Sequence, residues 1–194
     1  MNFEVNNEDE FNEIEIKDCE ISEVNAYYVI FREVIFENVT FIDVTLDKVQ
    51  FSHVTFINCD LSNINLEEAT IHYCTFKNCK LLGAHITEAS LREVEFNSCQ
   101  CDYISLGGSH LKGVKFDTCR MGQAGLNNCK MSQVEFIDCE MIRVELNGTK
   151  LKGIDFSTCQ IEGINVRLDD VKGAKLSTMQ AIEFSKMLGI IVKE

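Results

Sequence analysis

From Phe31 to Leu176 every fifth residue is apolar, thirty positions in succession, beginning Phe31, Phe36, Phe41, Leu46, Phe51, Phe56, Leu61 and Leu66. The residue two before each is Ala, Val, Ile or Cys in twenty-seven of the thirty repeats, the exceptions being Ser109, Thr149 and Asp169. The three remaining positions of each five are mostly polar. A weaker form of the same register begins at Phe11 and runs through Ile16 and Ile21. A period of five matches neither the helical 3.6 nor the strand period of 2. It requires a chain that turns a corner once per repeat, with the large central residue and the small residue two before it both pointing inward.

A second period shows how many corners close a coil. Phenylalanine recurs at Phe36, Phe56, Phe76, Phe96, Phe116, Phe136 and Phe156, and cysteine at Cys59, Cys79, Cys99, Cys119, Cys139 and Cys159. The spacing is twenty, so four repeats of five make one coil with a square cross-section, and like residues stack on like residues. Seven of the eleven glycines, with Asn38, Asn58, Asn63, Asn78 and Asn128, fall two after the central apolar residue, where a type II corner demands positive φ. Stacked coils satisfy their backbone groups through parallel-sheet bonds at a rise of ~4.8 Å. The pattern therefore predicts an all-β solenoid, a quadrilateral parallel β-helix of roughly eight coils and about 40 Å. The register has no insertion between Phe31 and Leu176. Three parts are predicted: an acidic N-terminal segment and first coil (1–28), the repeat β-helix (29–176), and a C-terminal helix and tail (177–194).

Locally, Ser177 or Thr178 can cap the start of that helix, and Gly189 stands where a C-terminal cap needs positive φ. Ala181, Phe184 and Leu188 share one face at helical spacing. Such a helix would seal the open edge of the last coil.

Composition narrows the chemistry. Aromatics are only 9% and Trp is absent, so the core is thin and mostly aliphatic. The acidic N-terminus does not resemble a signal peptide, and no apolar run approaches the ~18 residues that span a membrane. Ten cysteines then read as reduced thiols in a cytoplasmic protein. All ten fall on inward positions, nine in the small slot and Cys101 in the large one. Their twenty-residue ladder lacks the close convergent pairs of a zinc site, so core packing is expected, with no metal and no cofactor. A serine in place of Cys99 would then bury an unsatisfied hydroxyl. His53, His72, His85 and His110 project outward with no nucleophile beside them, and an uninterrupted coil provides no catalytic pocket. A non-enzymatic protein is expected.

The formal charge of −13 disfavours nucleic acid or anionic lipid as a direct ligand and favours a basic partner. The register distributes that charge. The faces centred on Phe36, on Phe41 and on Leu46, with their twenty-residue equivalents, carry −4, −2 and −3. On the third of these, Asp47, Glu67, Glu68 and Glu88 stack closely. The fourth, centred on Phe31, carries three acids and seven bases (+4): Arg32, Arg92, Lys112, Lys130, Lys150, Lys152 and Lys172. Residues 1–28 add −8. The basic lysines are not interleaved with aromatics, which speaks against a nucleic-acid site there.

The five-residue motif resembles that of the pentapeptide repeat family, A-(D/N)-L-x-x, in stretches such as Ala84-His85-Ile86-Thr87-Glu88 and Cys79-Lys80-Leu81-Leu82-Gly83. The resemblance implies a right-handed quadrilateral β-helix. At the C-terminus, Gly173-Ala174-Lys175-Leu176, Gln180-Ala181 and Leu188-Gly189-Ile190 with Val192 resemble the end of the Qnr-type quinolone-resistance proteins. In that subgroup a short terminal helix caps the rod and pairs two chains, and the rod mimics B-form DNA to bind DNA gyrase or topoisomerase IV. The resemblance implies the same partners here, with no direct nucleic-acid or membrane ligand. It implies a partner-binding acidic face at Asp47, Glu67, Glu68 and Glu88, and capping or dimerisation through Ala181, Phe184, Met187, Leu188 and Ile191. Loops that interrupt the repeats of gyrase-protecting Qnr proteins are absent from this sequence.

Overall fold

The chain forms a right-handed quadrilateral parallel β-helix, described for residues 3–187 and 191–192 by a computed structural model. On two sides of the square each repeat is a three-residue strand with its central apolar side chain inward, as at Ile35–Glu37, Thr55–Ile57 and Thr75–Lys77. Strands twenty residues apart pair in parallel with no slip, Phe36 on Phe56 and Phe76 on Phe96. Two walls are seven-stranded sheets, running from Glu10–Asn12 to Lys130–Ser132 and from Glu15–Lys17 to Glu135–Ile137. The other two begin as the paired strands Glu20–Tyr27 and Thr40–Asp47 and continue as single bridges every twenty residues, through Glu140–Gln160 and Glu145–Asn165.

The interior is the stacked apolar set the period predicts. Phe36, Phe56, Phe76, Phe96, Phe116, Phe136 and Phe156 are buried, and their rings stack nearly parallel with centroids 4.6–5.6 Å apart. That spacing equals the sheet rise, so one backbone repeat sets both the hydrogen bonds and the ring offsets.

The cysteine ladder does more than fill space. Cys59, Cys79, Cys99, Cys119, Cys139 and Cys159 each donate Sγ–H to the backbone carbonyl of the phenylalanine twenty-three residues earlier, at 3.3–3.5 Å. The two hydroxyl exceptions use the equivalent acceptor: Ser109 Oγ donates to the Ile86 carbonyl (2.9 Å) and Thr149 to that of Leu126. The Ala89 amide in turn donates to Ser109 Oγ at 3.0 Å. The small slot thus carries a built-in partner for a short polar side chain, which the sequence does not show. The expected penalty for Cys99→Ser is accordingly corrected. Its hydroxyl meets the Phe76 carbonyl and the Cys79 amide, so the change should cost about 1 kcal/mol. Chemical denaturation checks this, and a loss of several kcal/mol would mean the slot does not satisfy the hydroxyl. Off the main ladder, burial pushes the Cys74 and Cys129 thiols up to about 11.

The corners depart further from residue preference. Positive φ occurs two residues after the central position at glycines such as Gly83 and Gly113, and equally at Glu33, Tyr73 and Thr118. A left-handed conformation costs an L-residue about 1–2 kcal/mol. The stacked backbone bonds impose it, for most corner amides donate to a carbonyl of the next coil, as Glu33 N does to Ser52 O (3.0 Å). Short polar side chains soften the strain by stacking at one corner: Asn38, Asn58 and Asn78 donate in turn to Asp18, Asn38 and Asn58 at 2.8–3.4 Å.

The register is not unbroken to Leu176. Asp169, which the period assigns to a small inward slot, is exposed, and Asp170 is buried instead at 4% exposure. A lone carboxylate in the apolar core would lose its hydration without compensation. Asp170 instead accepts from the Gly148 amide (2.8 Å) and Lys150 Nζ (2.7 Å). The Lys150 ammonium, with that amide, holds its carboxyl below the usual range. A turn at 168–170 absorbs the slip, and pairing resumes at Asp155–Lys175.

Candidate functional surface

The coil places the predicted acidic residues in two adjacent columns. Asp47 and Glu67 occupy one, and Glu68 and Glu88 the next, with successive members about 4.8 Å apart. Glu68 and Glu88 stand on corners with φ of 54° and 52°, which tips their carboxylates outward. Glu67, Glu68 and Glu88 are exposed, whereas Asp47 is half-buried and accepts from Asn65 Nδ2 at 3.3 Å.

Three further residues, Lys48, Tyr27 and Tyr28, border this cluster. Lys48 lies in the Glu68–Glu88 column, with its ammonium 3.6 Å from Glu68 and 5.7 Å from the centroid of Tyr28. The Glu68 carboxylate, then the Tyr28 hydroxyl, hold that ammonium above the ordinary lysine value. Tyr27 and Tyr28 pack edge to face at 5.6 Å and remain about half exposed. Tyr27, Tyr28, Asp47, Lys48, Glu67 and Glu68 enclose a shallow groove of about 300 Å³. Its chemistry suits a cation lying on an aromatic face beside a carboxylate, as Lys48 lies with Tyr28 and Glu68.

At the other end of the rod, the helix Thr178–Met187 begins with a reciprocal cap. The Gln180 amide donates to Ser177 Oγ (3.3 Å) and the Ser177 amide to Gln180 Oε1 (2.8 Å). Gln180 Nε2 then reaches the carbonyls of Phe156 and Cys159, both at 2.8 Å, and ties the helix to the edge of the last coil. Phe184 packs half-buried against the core, while Ala181 is exposed, so the two do not share the coil-facing side. Met187 is the last residue of the helix and Ile191 is 86% exposed, whereas Leu188 lies outside the described residues. Between helix and coil a cavity of about 500 Å³ is lined by residues including Cys159, Ile161, Ile164, Met179 and Phe184.

Among the described residues, no three His, Cys, Asp or Glu side chains converge as metal ligands, and no helix is long and apolar enough to cross a membrane. The cysteines lie along the inner walls and the histidines on the outside.

Fold and surface together define a rigid repeat rod that presents flat faces of fixed charge. Residues 29–106 and 49–125 match the model of a pentapeptide repeat region, and residues 119–157 that of pentapeptide repeats in eight copies. The chain belongs to the pentapeptide repeat family. Comparison with curated proteins finds no match. Among solved structures, the chain is similar to HetL of the cyanobacterium Nostoc sp. strain PCC 7120, a pentapeptide repeat protein involved in regulating heterocyst differentiation. Identity is 12%, with 87% of each chain covered and a TM-score of 0.41. It is also similar to QnrB1, a plasmid-mediated fluoroquinolone resistance protein, at 15% identity over 96% of this chain and 99% of that one, with a TM-score of 0.43.

Proposed function

We propose that the protein is a non-enzymatic, cytoplasmic partial mimic of DNA that binds a type II topoisomerase, DNA gyrase or topoisomerase IV, and modulates quinolone susceptibility. The stacked carboxylates Asp47, Glu67, Glu68 and Glu88 carry this reading, because they repeat negative charge along a straight, rigid axis. A surface that holds DNA is basic and matched to charge spaced every ~1.7 Å of duplex. Over the length of the rod the duplex carries about 24 charges against this chain's −13, so the mimicry is partial. The purified protein is expected to alter gyrase supercoiling or to rescue it from a quinolone. The triple change Glu67→Lys, Glu68→Lys, Glu88→Lys is expected to abolish that effect. Unchanged potency would exclude this face, and no effect of the native protein on either topoisomerase would exclude the function. The terminal helix is proposed to pair two chains, for which light scattering is the measurement; a monomer at high concentration refutes it.

The alternative is an interaction scaffold for an unrelated protein. The +4 wall and the lack of loops between the repeats from Phe31 to Val166 favour it, since DNA mimicry requires neither. Recovery of gyrase subunits in a pull-down would decide against it.

A further inference from the structure

The basic wall divides along its length. In its C-terminal half, Arg92, Lys112, Lys130, Lys150, Lys152 and Lys172 face two acids, Glu93 and Asp170, leaving +4. Arg92 and Lys112 pair in register, as do His110 and Lys130 in the neighbouring column. Lys152 and Lys172 lie forty and sixty residues further along the Lys112 column, with Ser132 on the rung between Lys112 and Lys152. Columns are about 6.8 Å apart and rungs about 4.8 Å, so the six cations span about 19 Å along one side of the coil, Arg92, Lys112 and Lys130 on the sheet that ends at Lys130–Ser132 and Lys150, Lys152 and Lys172 on the coils beyond it. Lys150 is engaged by buried Asp170, and Arg92 lies 5.9 Å from the centroid of Tyr73. Lys112, Lys130, Lys152 and Lys172 form no ion pair among the described residues. Four exposed ammonium groups without an ion-pair partner, along one side of the coil, are ready to exchange counterions for a polyanion.

We infer that this half-wall docks non-specifically on the phosphate backbone of duplex DNA. The net charge of −13 argues against nucleic acid only if the charge is felt as a whole. The N-terminal acids Glu10 and Glu13 lie five rungs, about 24 Å, from Lys112, well beyond the Debye length of ~8 Å at physiological salt. The duplex is favoured over a single strand on two grounds. It carries twice the charge per unit length, about 11 phosphates against the 19 Å stripe. A single strand would need aromatic platforms for its unstacked bases, and the stripe has only Tyr73, at one end, already stacked on His53 at 4.9 Å. Absence of interleaved aromatics therefore excludes base stacking and leaves backbone binding open. This inference is independent of the topoisomerase function, which uses the acidic wall.

Fluorescence anisotropy of a labelled mixed-sequence duplex of about 20 base pairs, titrated with the full chain at about 50 mM salt, tests it directly. Saturable binding is expected, indifferent to sequence, with log K falling against log salt at a slope near −3.6 for four phosphates released. The triple variant Lys112→Glu, Lys130→Glu, Lys152→Glu should lose at least about tenfold in affinity, while the same three positions changed to Arg should retain it. Circular dichroism confirms that both variants keep the fold. The inference is overturned by no anisotropy change with native protein, by equal binding of the Glu variant, or by tighter binding of the single strand. It is also overturned if polyglutamate competes as well as duplex at equal charge, which would assign the wall to an acidic protein.

Discussion

Phe96→Ala is expected to destabilise the protein by about 3–5 kcal/mol, read as a lower midpoint in chemical denaturation. The ring is fully buried and lies between Phe76 at 4.8 Å and Phe116 at 4.7 Å, within 8° of parallel to both. A cavity is least costly where its walls can move in. Here they cannot, because Phe76 and Phe116 stand on strands locked to the Phe96 strand by in-register parallel pairing on both sides. Closing the gap would bring neighbouring coils nearer than the sheet spacing allows. At the end of the ladder Phe156 is farther from its neighbour, at 5.6 Å and 19°, and among the described residues no second ring stacks on it. Phe156→Ala is therefore expected to cost less than Phe96→Ala. Equal losses at the two positions would mean that ring stacking contributes little beyond area burial.

Why the ladders could be read from sequence, and other features could not, follows from how many coils enforce each. Inward positions at Phe36, Phe56 and Phe76 are set by a repeat that every coil restates, so a single misplaced residue cannot hide the period. Asp169 shows the limit: one position where local chemistry outweighs the repeat, since its inward slot would strand a carboxylate and the chain slips to bury Asp170 beside Lys150. Corner geometry was only half legible, because Gly and Asn mark positive φ but Tyr73 and Thr118 adopt it under the pull of the inter-coil hydrogen bonds. The carbonyl that receives each ladder thiol belongs to a residue twenty-three earlier, a relation visible only once coils are stacked in space. On the acidic wall the columns of Glu67 and Glu68 were legible, but the partial neutralisation by Lys48, and Tyr28 beneath it, depend on side-chain reach. Likewise Ala181 and Phe184 share a helical stripe by spacing, yet Phe184 packs against the core and Ala181 is exposed.

Gln180 is where the second large effect is expected. Its side chain serves two structures at once, accepting from the Ser177 amide as half of the cap and donating to the Phe156 and Cys159 carbonyls at the end of the coil. Gln180→Ala removes one cap bond of about 1 kcal/mol and two donor contacts of about 1 kcal/mol each. A local loss of about 2–3 kcal/mol follows. It falls on the helix and the last coil alone, so hydrogen exchange of the amides over Thr178–Met187 should accelerate while the Phe76–Phe116 region stays protected. Gln180→Glu separates the two roles, since it keeps the oxygen that receives the Ser177 amide but places a carboxylate against two carbonyl oxygens. It should release the helix at least as strongly as Gln180→Ala. If Gln180→Glu behaves like the native protein, the tie to the coil edge is not what holds the helix down. A released helix also uncovers the open edge of the last coil, whose unpaired backbone groups can template another chain. Both variants should therefore associate more readily with rising concentration, which distinguishes loss of a cap from a change confined to the helix itself.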